Sequence, residues 1–459
     1  MQGPFDIAAD LDTPVSAFLK LAPFRPRFLL ESVVGGANVG RYSFIGFGDA
    51  TELVIDEPPE DRESLLDQLR DALAAAPRPG PAVEGLPFEG GLVGYFGYDL
   101  VRCFERLPAR AEPREGEPAG AWVAAESLLV FDHATRRCAV LHAGDERARR
   151  NVRRDVVMAL RGAIPDRSSD PAARGGFRRG AYSSPRPSLS REAFIEGVRK
   201  VREHIYEGDI FQLVLSARFE GECHLDPFQV YRALRLLNPS PYMYYLDVAG
   251  MQIVGSSPEA LVRVSGREAE LRPIAGTRPR GATPEEDRRH EEELLADPKE
   301  AAEHVMLVDL ARNDVGRVAV PGTVRVDPYR VIERYSHVMH IVSGVLGELP
   351  EDIDPFELFA ACFPAGTVTG APKVRAMELI DGLEPVRRGP YAGTVGYFGH
   401  GGTMDQAIAI RTVVFRGGRY AYQSGAGVVA DSVPESEHAE ILAKAAAMES
   451  ALAFAEAGL

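Results

Sequence analysis

At 459 residues the chain is long enough to bury a large core, and length alone permits two or three domains. Its 45% hydrophobic and 26% charged residues are those of a globular protein. A formal net charge of −15 excludes an overall nucleic-acid or anionic-membrane surface, although a small anionic substrate feels only its own site.

Taken in order, the first residues (MQGPFDIAADLDTP) lack the basic and apolar regions of a signal peptide. No apolar run approaches membrane-span length, so a soluble, cytoplasmic protein without membrane contact is expected. The cysteines, Cys103, Cys138, Cys223 and Cys362, are scattered without CxxC or metal spacing and read as reduced thiols. Up to residue 164, short apolar runs alternate with Gly and Pro. Residues 28–32 and 41–46 are predicted strands, and 62–76 is a predicted amphipathic helix with Leu65, Leu66, Leu69 and Leu73 on one face. Residues 90–99 read as a glycine-dotted strand where backbone approaches backbone. The polar stretch 165–188, rich in Pro, Gly, Ser and Arg, reads as a linker or surface loop. It divides an N-terminal domain (1–164) from a second domain (189–459).

Beyond it, Ser190 caps a predicted helix carrying Phe194, Val198, Val201 and Ile205, which Gly208 ends. A strand is predicted over 210–218, with Gln212 on the face of Ile210, Val214 and Ser216. Further strands are expected at 243–248, 252–255, 260–264, 393–399, 404–415 and 421–429, with helices at 284–296, 297–313, 355–362 and 374–380. An Ala-rich helix, 434–457, follows. Val93–Gly97 recurs as Val395–Gly399, which points to two similar sheet positions. Hairpin-sized strands between helices favour an α+β layered architecture. No GxGxxG and no GxxxxGK[ST] is present.

The stretch Asp297–Asn313 is unusual. Asp297 and Pro298 start a helix, and apolar residues on most sides predict its burial. Glu300 and Glu303 nevertheless share one face. Glu300 fits the N3 position of a capping box; Glu303 has no such explanation and needs a cation or donors. In the last helix, Ser432 and Glu435 fit another capping box, while Glu437, Glu440 and Lys444 align on one face, blandly a solvated Glu–Lys pair. Two ExxE edges without Cys/His clusters suit a hard divalent ion such as Mg²⁺, which reverses the local sign for an acidic ligand. Residues 363–373 and 424–427 form glycine-bearing turns before helices, where N–H groups suit a carboxylate or simply make turns. Arg411, in an otherwise apolar predicted strand, needs an anion.

RPIAGTRPRG (272–281), DPKEAAEHVMLVDLARNDVGRV (297–318), RYSHVMHIVSGV (334–345), FPAGTVTGAPKVRAMELI (363–380) and SGAGVVADSVPESEHAEILAKAAAM (424–448) resemble, in order, the motifs of the chorismate-utilising enzymes. The resemblance implies a two-domain α/β sandwich with large antiparallel sheets around a central active-site cleft. LLES (29–32), GRYSFIG (40–46) and NPSPYMYY (238–245) are similar to the anthranilate-forming branch and its tryptophan feedback site, implying an inhibitor pocket of Glu31, Ser32, Pro241, Tyr242 and Met243. Ala275 stands where the branch aminating the other ring carbon often has lysine, and Gln212 where water-activating relatives have lysine.

The resemblance implies amination of chorismate at C2 by ammonia, then pyruvate elimination. Glu259 resembles the general acid for the C4 hydroxyl and His340 the residue for elimination, with Gln212 at the nucleophile. Gly276, Thr277, Thr367, Tyr391, Arg411, Gly425, Gly427 and Lys444 match substrate-holding positions. Glu303 and Glu440 match direct Mg²⁺ ligands, with Glu300 and Glu437 acting through water. No cysteine sits in a glutaminase elbow, so a separate glutamine amidotransferase subunit, and hence a hetero-oligomer, is expected. The alternatives are the C4-aminating enzyme and a tryptophan-binding regulatory subunit without catalysis.

Overall fold

Helices begin where the sequence supplies side-chain acceptors. In the computed structural model, which describes residues 4–33, 40–114, 116–165, 180–335 and 338–459, Asp61, Ser190, Thr283 and Asp354 each accept a backbone N–H three residues on. Each such cap contributes about 1 kcal/mol. Most of the stretch expected as a linker, and Ser336 and His337, lie outside the described residues. Helices Pro284–Ala296 and Pro355–Cys362 match their expected bounds, and Lys373–Leu383 extends its own slightly.

The strands pair antiparallel in one large sheet and one small one. Ladders of the large sheet form a closed circuit. Phe28–Glu31 pairs with Tyr42–Ile55, which pairs with Gly120–Asp132, then Gly91–Phe96, then Thr394–Gly399 and Met404–Ile408. Met404–Ile408 pairs with Ala260–Ser265, which continues Met251–Ser257; that strand pairs with Tyr242–Val248, and this returns to Phe28–Glu31. Alternation sends Phe28, Phe44, Val93, Tyr95, Tyr244, Leu246 and Val395 into one buried cluster. The opposite faces are covered by helices: Arg191–Tyr206, Pro227–Leu237 and Pro434–Ala457 on one side, and Arg62–Ala75, Pro298–Gly316 and Pro355–Cys362 on the other. This is the expected α+β architecture, with two ladders joining residues before 164 to residues after 189.

The repeated pentapeptide now has a reason. Its two copies pair with each other, Gly94 directly opposite Gly396. A Cβ at Gly94 would lie 2.1 Å from the Ala121 carbonyl oxygen, and one at Gly396 2.0 Å from that of Asp405. Both backbones press on their outer neighbour, so only glycine fits at either place.

Two strand expectations need correction. The stretch 90–99 is a strand only at Gly91–Phe96, followed by a 3₁₀ turn, Tyr98–Cys103. The stretch 404–415 is two strands, Met404–Ile408 and Thr412–Arg416, broken where Arg411 takes a left-handed φ of 51°. The partner bends at the same level, between Gly255↔Thr412 and Ala260↔Ala407. The small sheet joins Val331–Arg334, Val338–Val342 and Ile274–Pro279, with Val338–Val342 central. Among the described residues no helix is long and apolar enough to cross a membrane.

Candidate active site

The Asp297 cap forms as expected, its carboxylate accepting from the N–H of Lys299 and Glu300. The helix it starts, Pro298–Gly316, is not buried all round. His304, Leu307, Val308, Ala311, Asp314 and Val315 face the core, while Ala302 and Val305 are exposed. Glu300 and Glu303 are half-buried at the margin of the core face, away from the exposed side that carries Ala302 and Val305. Glu300 does not close a capping box: Asp297 N–H goes to the Leu294 carbonyl, and the Glu300 carboxylate takes Arg278 at 3.2 Å. The second capping box is absent too. Val433 is the N-cap of Pro434–Ala457, without a side-chain bond, because the Ser432 hydroxyl instead accepts from Val429 N–H. Glu435 points outward, 3.8 Å from Arg199.

The two acidic edges face each other electrostatically. Burial raises the Glu303 pKa, and the negative charges of Glu300 and Glu440 add to the rise. Burial likewise raises that of Glu437, with Glu440 adding. Glu440 holds Lys444 at 2.6 Å. Glu303 and Glu437, raised first by burial and then by neighbouring negative charge, make an excess that a hard cation between the helices would relieve. The donor set, oxygen alone, fits Mg²⁺ better than a soft transition metal. The four side chains stand too far apart here to form a closed ligand set; among the described residues, the only compact His/Cys/Asp/Glu trio is His204, Glu207 and Asp209.

Glu259 follows the strand Met251–Ser257, and its carboxylate accepts from the Thr367 hydroxyl at 2.8 Å. Burial pushes its pKa up to about 7, against the lowering effects of Thr367 and Arg411. Arg411, whose guanidinium is itself destabilised by burial, interacts with the Glu259 charge. The break in the strand, rather than a strand position, is what places it there. His340 lies on the central strand of the small sheet, its Nδ1 2.8 Å from the Gly276 carbonyl and 3.1 Å from the Thr277 hydroxyl. A carbonyl only accepts, so Nδ1 carries the proton and Nε2 has the free lone pair. Burial, with a contribution from Arg411, lowers the His340 pKa, so the ring is neutral near pH 7.

The glycines are spacing elements. Gly276 has φ 69°, and a Cβ there would meet Leu294 at 2.8 Å and the Glu300 carboxylate at 3.1 Å. At Gly425 a Cβ would lie 2.6 Å from the Tyr391 hydroxyl, and at Gly427 2.8 Å from the Gln212 amide nitrogen. Lys444 Nζ donates to the Gly425 carbonyl at 3.0 Å. One chain of contacts and charge interactions thus runs from His340 through Gly276, Glu300, Glu303, Glu440, Lys444 and Gly425 to Tyr391. A second links His340 through Arg411 to Glu259 and Thr367.

Glu31, Ser32, Pro241, Tyr242 and Met243 lie elsewhere, together lining one cavity of about 1450 Å³ that includes none of the three residues expected in catalysis. The Glu31 carboxylate, almost wholly buried, accepts from the Tyr231 hydroxyl and from Arg235 at 3.0 Å. Sequence reading missed Tyr231 and Arg235, although both follow the pattern of one face of the helix Pro227–Leu237. The small sheet borders this cavity as well: Ile274, Ile332 and Tyr335 line it, and the Tyr335 ring is 5.6 Å from that of His340.

A family model described as chorismate binding enzyme matches residues 25–450. The chain is 47% identical over 461 residues to an anthranilate synthase component 1 from Thermus thermophilus, covering 98% of this chain and 97% of that one. The crystal structure of anthranilate synthase component I from Streptococcus pneumoniae superposes with a TM-score of 0.77 at 35% identity, over 91% of this chain and 94% of that one. A menaquinone-specific isochorismate synthase from Escherichia coli, 19% identical, shares the fold with a TM-score of 0.71 over 96% and 92%. A match of this extent, falling on the helices and turns that build the cleft, has one meaning: the chain belongs to the chorismate-binding enzymes, in the group of anthranilate synthase component 1.

Proposed function

We propose that this protein is the large subunit of an anthranilate synthase, converting chorismate and ammonia to anthranilate, pyruvate and water. The observation that carries this reading is Glu259, a carboxyl held near pKa 7 beside Thr367 and Arg411. Protonated, it delivers its proton to the departing C4 hydroxyl as the C2–N bond forms. The free Nε2 of His340 then takes the ring proton as the C3–O bond breaks, releasing the enolpyruvyl group as pyruvate. Gln212, neutral, accommodates ammonia without activating water. Arg411 and Lys444 supply positive charge to the substrate carboxylates, while Gly276, Thr277, Thr367, Tyr391, Gly425 and Gly427 shape its bed. Glu303 and Glu440 would hold Mg²⁺ directly and Glu300 and Glu437 through water; the ion supplies a positive anchor for a substrate carboxylate.

The cysteines support an external source of ammonia. All four are buried and unpaired, and burial pushes the thiols up, Cys223 to about 11 and Cys103 to about 12, which leaves no reactive thiolate for a glutaminase step. A separate glutamine amidotransferase subunit, joined in a cytoplasmic hetero-oligomer, fills that role. The cavity at Glu31, Ser32, Pro241, Tyr242 and Met243 is read as the site of tryptophan feedback. Ala275, a small buried residue, stands where the C4-aminating branch often has lysine, which favours C2 over C4 amination.

The test is the purified chain with chorismate, a magnesium salt and an ammonium salt, the product identified by mass and fluorescence. The ortho-aminobenzoate with equimolar pyruvate is expected; the para isomer, or no amination, overturns the reading.

A further inference from the structure

Beneath the cleft lies an ion pair that the catalytic reading does not use. Glu384 and Arg388 are 4% and 1% exposed. Arg388 donates through Nε to Glu384 Oε2 at 2.9 Å and through Nη2 to Oε1 at 2.7 Å. Its remaining donors leave the pair for two separate segments: Nη1 to the Val368 carbonyl at 2.7 Å, and Nη2 to the Val214 carbonyl at 2.8 Å. Glu384 Oε1 also accepts from the Ser216 N–H and hydroxyl, at 2.9 and 2.7 Å. The guanidinium carbon stands 5.6 Å from the Tyr391 ring centroid and 4.8 Å from that of Tyr98. Burying two charges is costly, and such a pair is retained where its geometry fixes something.

What it grips is specific. Val368 adjoins Thr367, the donor to Glu259. Val214 and Ser216 lie on the strand that begins at Gln212, and they pair directly with Gly427 and Gly425. Tyr391, the ring against the guanidinium, is the side chain whose hydroxyl meets the space above Gly425. A rigid five-donor fork is suited to tie such points at fixed distances.

We infer that Arg388, oriented by Glu384, is the positioning residue that sets Thr367, Tyr391 and the Gly425–Gly427 backbone at the spacing the substrate requires. It touches no substrate; it acts through the residues that do. This rests on chorismate being the substrate, which turnover by the unaltered chain checks separately.

The variants are Arg388→Lys, Arg388→Met, Glu384→Gln and the double Glu384→Gln/Arg388→Met, assayed as full chains with chorismate, a magnesium salt and ammonium. A misplacement of about 1 Å lowers kcat/KM by roughly 100-fold, so Arg388→Met is expected to lose that much, with KM rising as well as kcat falling. Its high-pH limb is expected to move to higher pH, because a displaced Thr367 no longer bonds the Glu259 carboxylate; the other charged groups beside Glu259, namely Arg411, Arg272 and the Lys373–Asp314 pair, are left in place. Arg388→Lys is expected to recover part of the loss. A residue that merely stabilises the fold would lower the melting temperature without changing KM or the pH limb, and that result overturns the inference. Should single variants fail to fold, the double variant leaves no unpaired buried charge and is read in their place: parental KM and pH profile in it reject the assignment.

Discussion

Replacing Glu259 by glutamine probes the site most directly. The carboxyl ordinarily titrates at 4.5 and here at about 7. At pH 7 an ordinary glutamate is about 0.3% protonated, whereas this one is about half protonated, so burial multiplies the available acid roughly 150-fold. Above pH 7 each unit removes about nine-tenths of the acid form. For the parent chain, kcat normalised to free ammonia is expected to fall with pH above 7, and Glu259→Gln to lose about 10²–10⁴-fold and to lack that limb. Stability gives a second reading with a fixed sign. A raised carboxyl pKa means the folded chain holds a proton the unfolded chain has lost, so stability falls as pH rises from 4.5 through 7. The shift amounts to about 3 kcal/mol above pH 7 and nothing below 4.5. Glu259→Gln should therefore melt higher than the parent at pH 8.5, by a few degrees, with the gap closing at pH 4.5. A parent profile flat from pH 6 to 8.5, or a stability gap independent of pH, refutes the argument.

Three further outcomes are expected. His340→Met should still consume chorismate and incorporate nitrogen while releasing little pyruvate; parental pyruvate output would remove His340 from the elimination. Glu303→Gln should raise the magnesium concentration for half-maximal activity roughly tenfold or more, whereas Glu435→Gln, on the outside of its helix, should leave it unchanged; equal effects would dissolve the proposed clamp. Tryptophan should raise the melting temperature of the parent, by the equivalent of about 2.7 kcal/mol at a hundred times its dissociation constant. Glu31→Gln, which leaves Arg235 without its carboxylate, should abolish the shift, and a parent unmoved at about millimolar tryptophan rejects the pocket.

Features carried by local rules were legible in the sequence. Asp297 and Pro298 start a helix wherever they stand, and the spacing of Glu300 to Glu303 survives any tertiary arrangement. What the sequence concealed depends on partners far along the chain. Apolar residues around Pro298–Gly316 predicted burial on most sides, yet the helix packs by one face and leaves Val305 exposed, and no periodicity distinguishes the two cases. Ser432 fitted a capping box but was claimed by Val429, a competition settled by how the preceding strand ends. Arg411 read as a charged strand residue because its neighbours are apolar; its left-handed backbone is imposed by the bent strand opposite. Arg388 and Glu384 show in the sequence only as an ordinary i,i+4 pair, because the carbonyls that Arg388 ties lie 20 and 174 residues away.

The closed circuit of ladders has a consequence for how the chain is made. The strand Gly91–Phe96 leaves the ribosome roughly 300 residues before its partner Thr394–Gly399, which at ~5–20 residues per second is a wait of about 15–60 s. Phe28–Glu31 waits likewise for Tyr242–Val248. Throughout that interval two apolar strand edges are bare, open to pairing with another nascent chain. In the folded protein both of these edges are paired, so their exposure belongs to synthesis, and keeping the nascent N-terminal half apart until the late strands emerge is expected to raise yield.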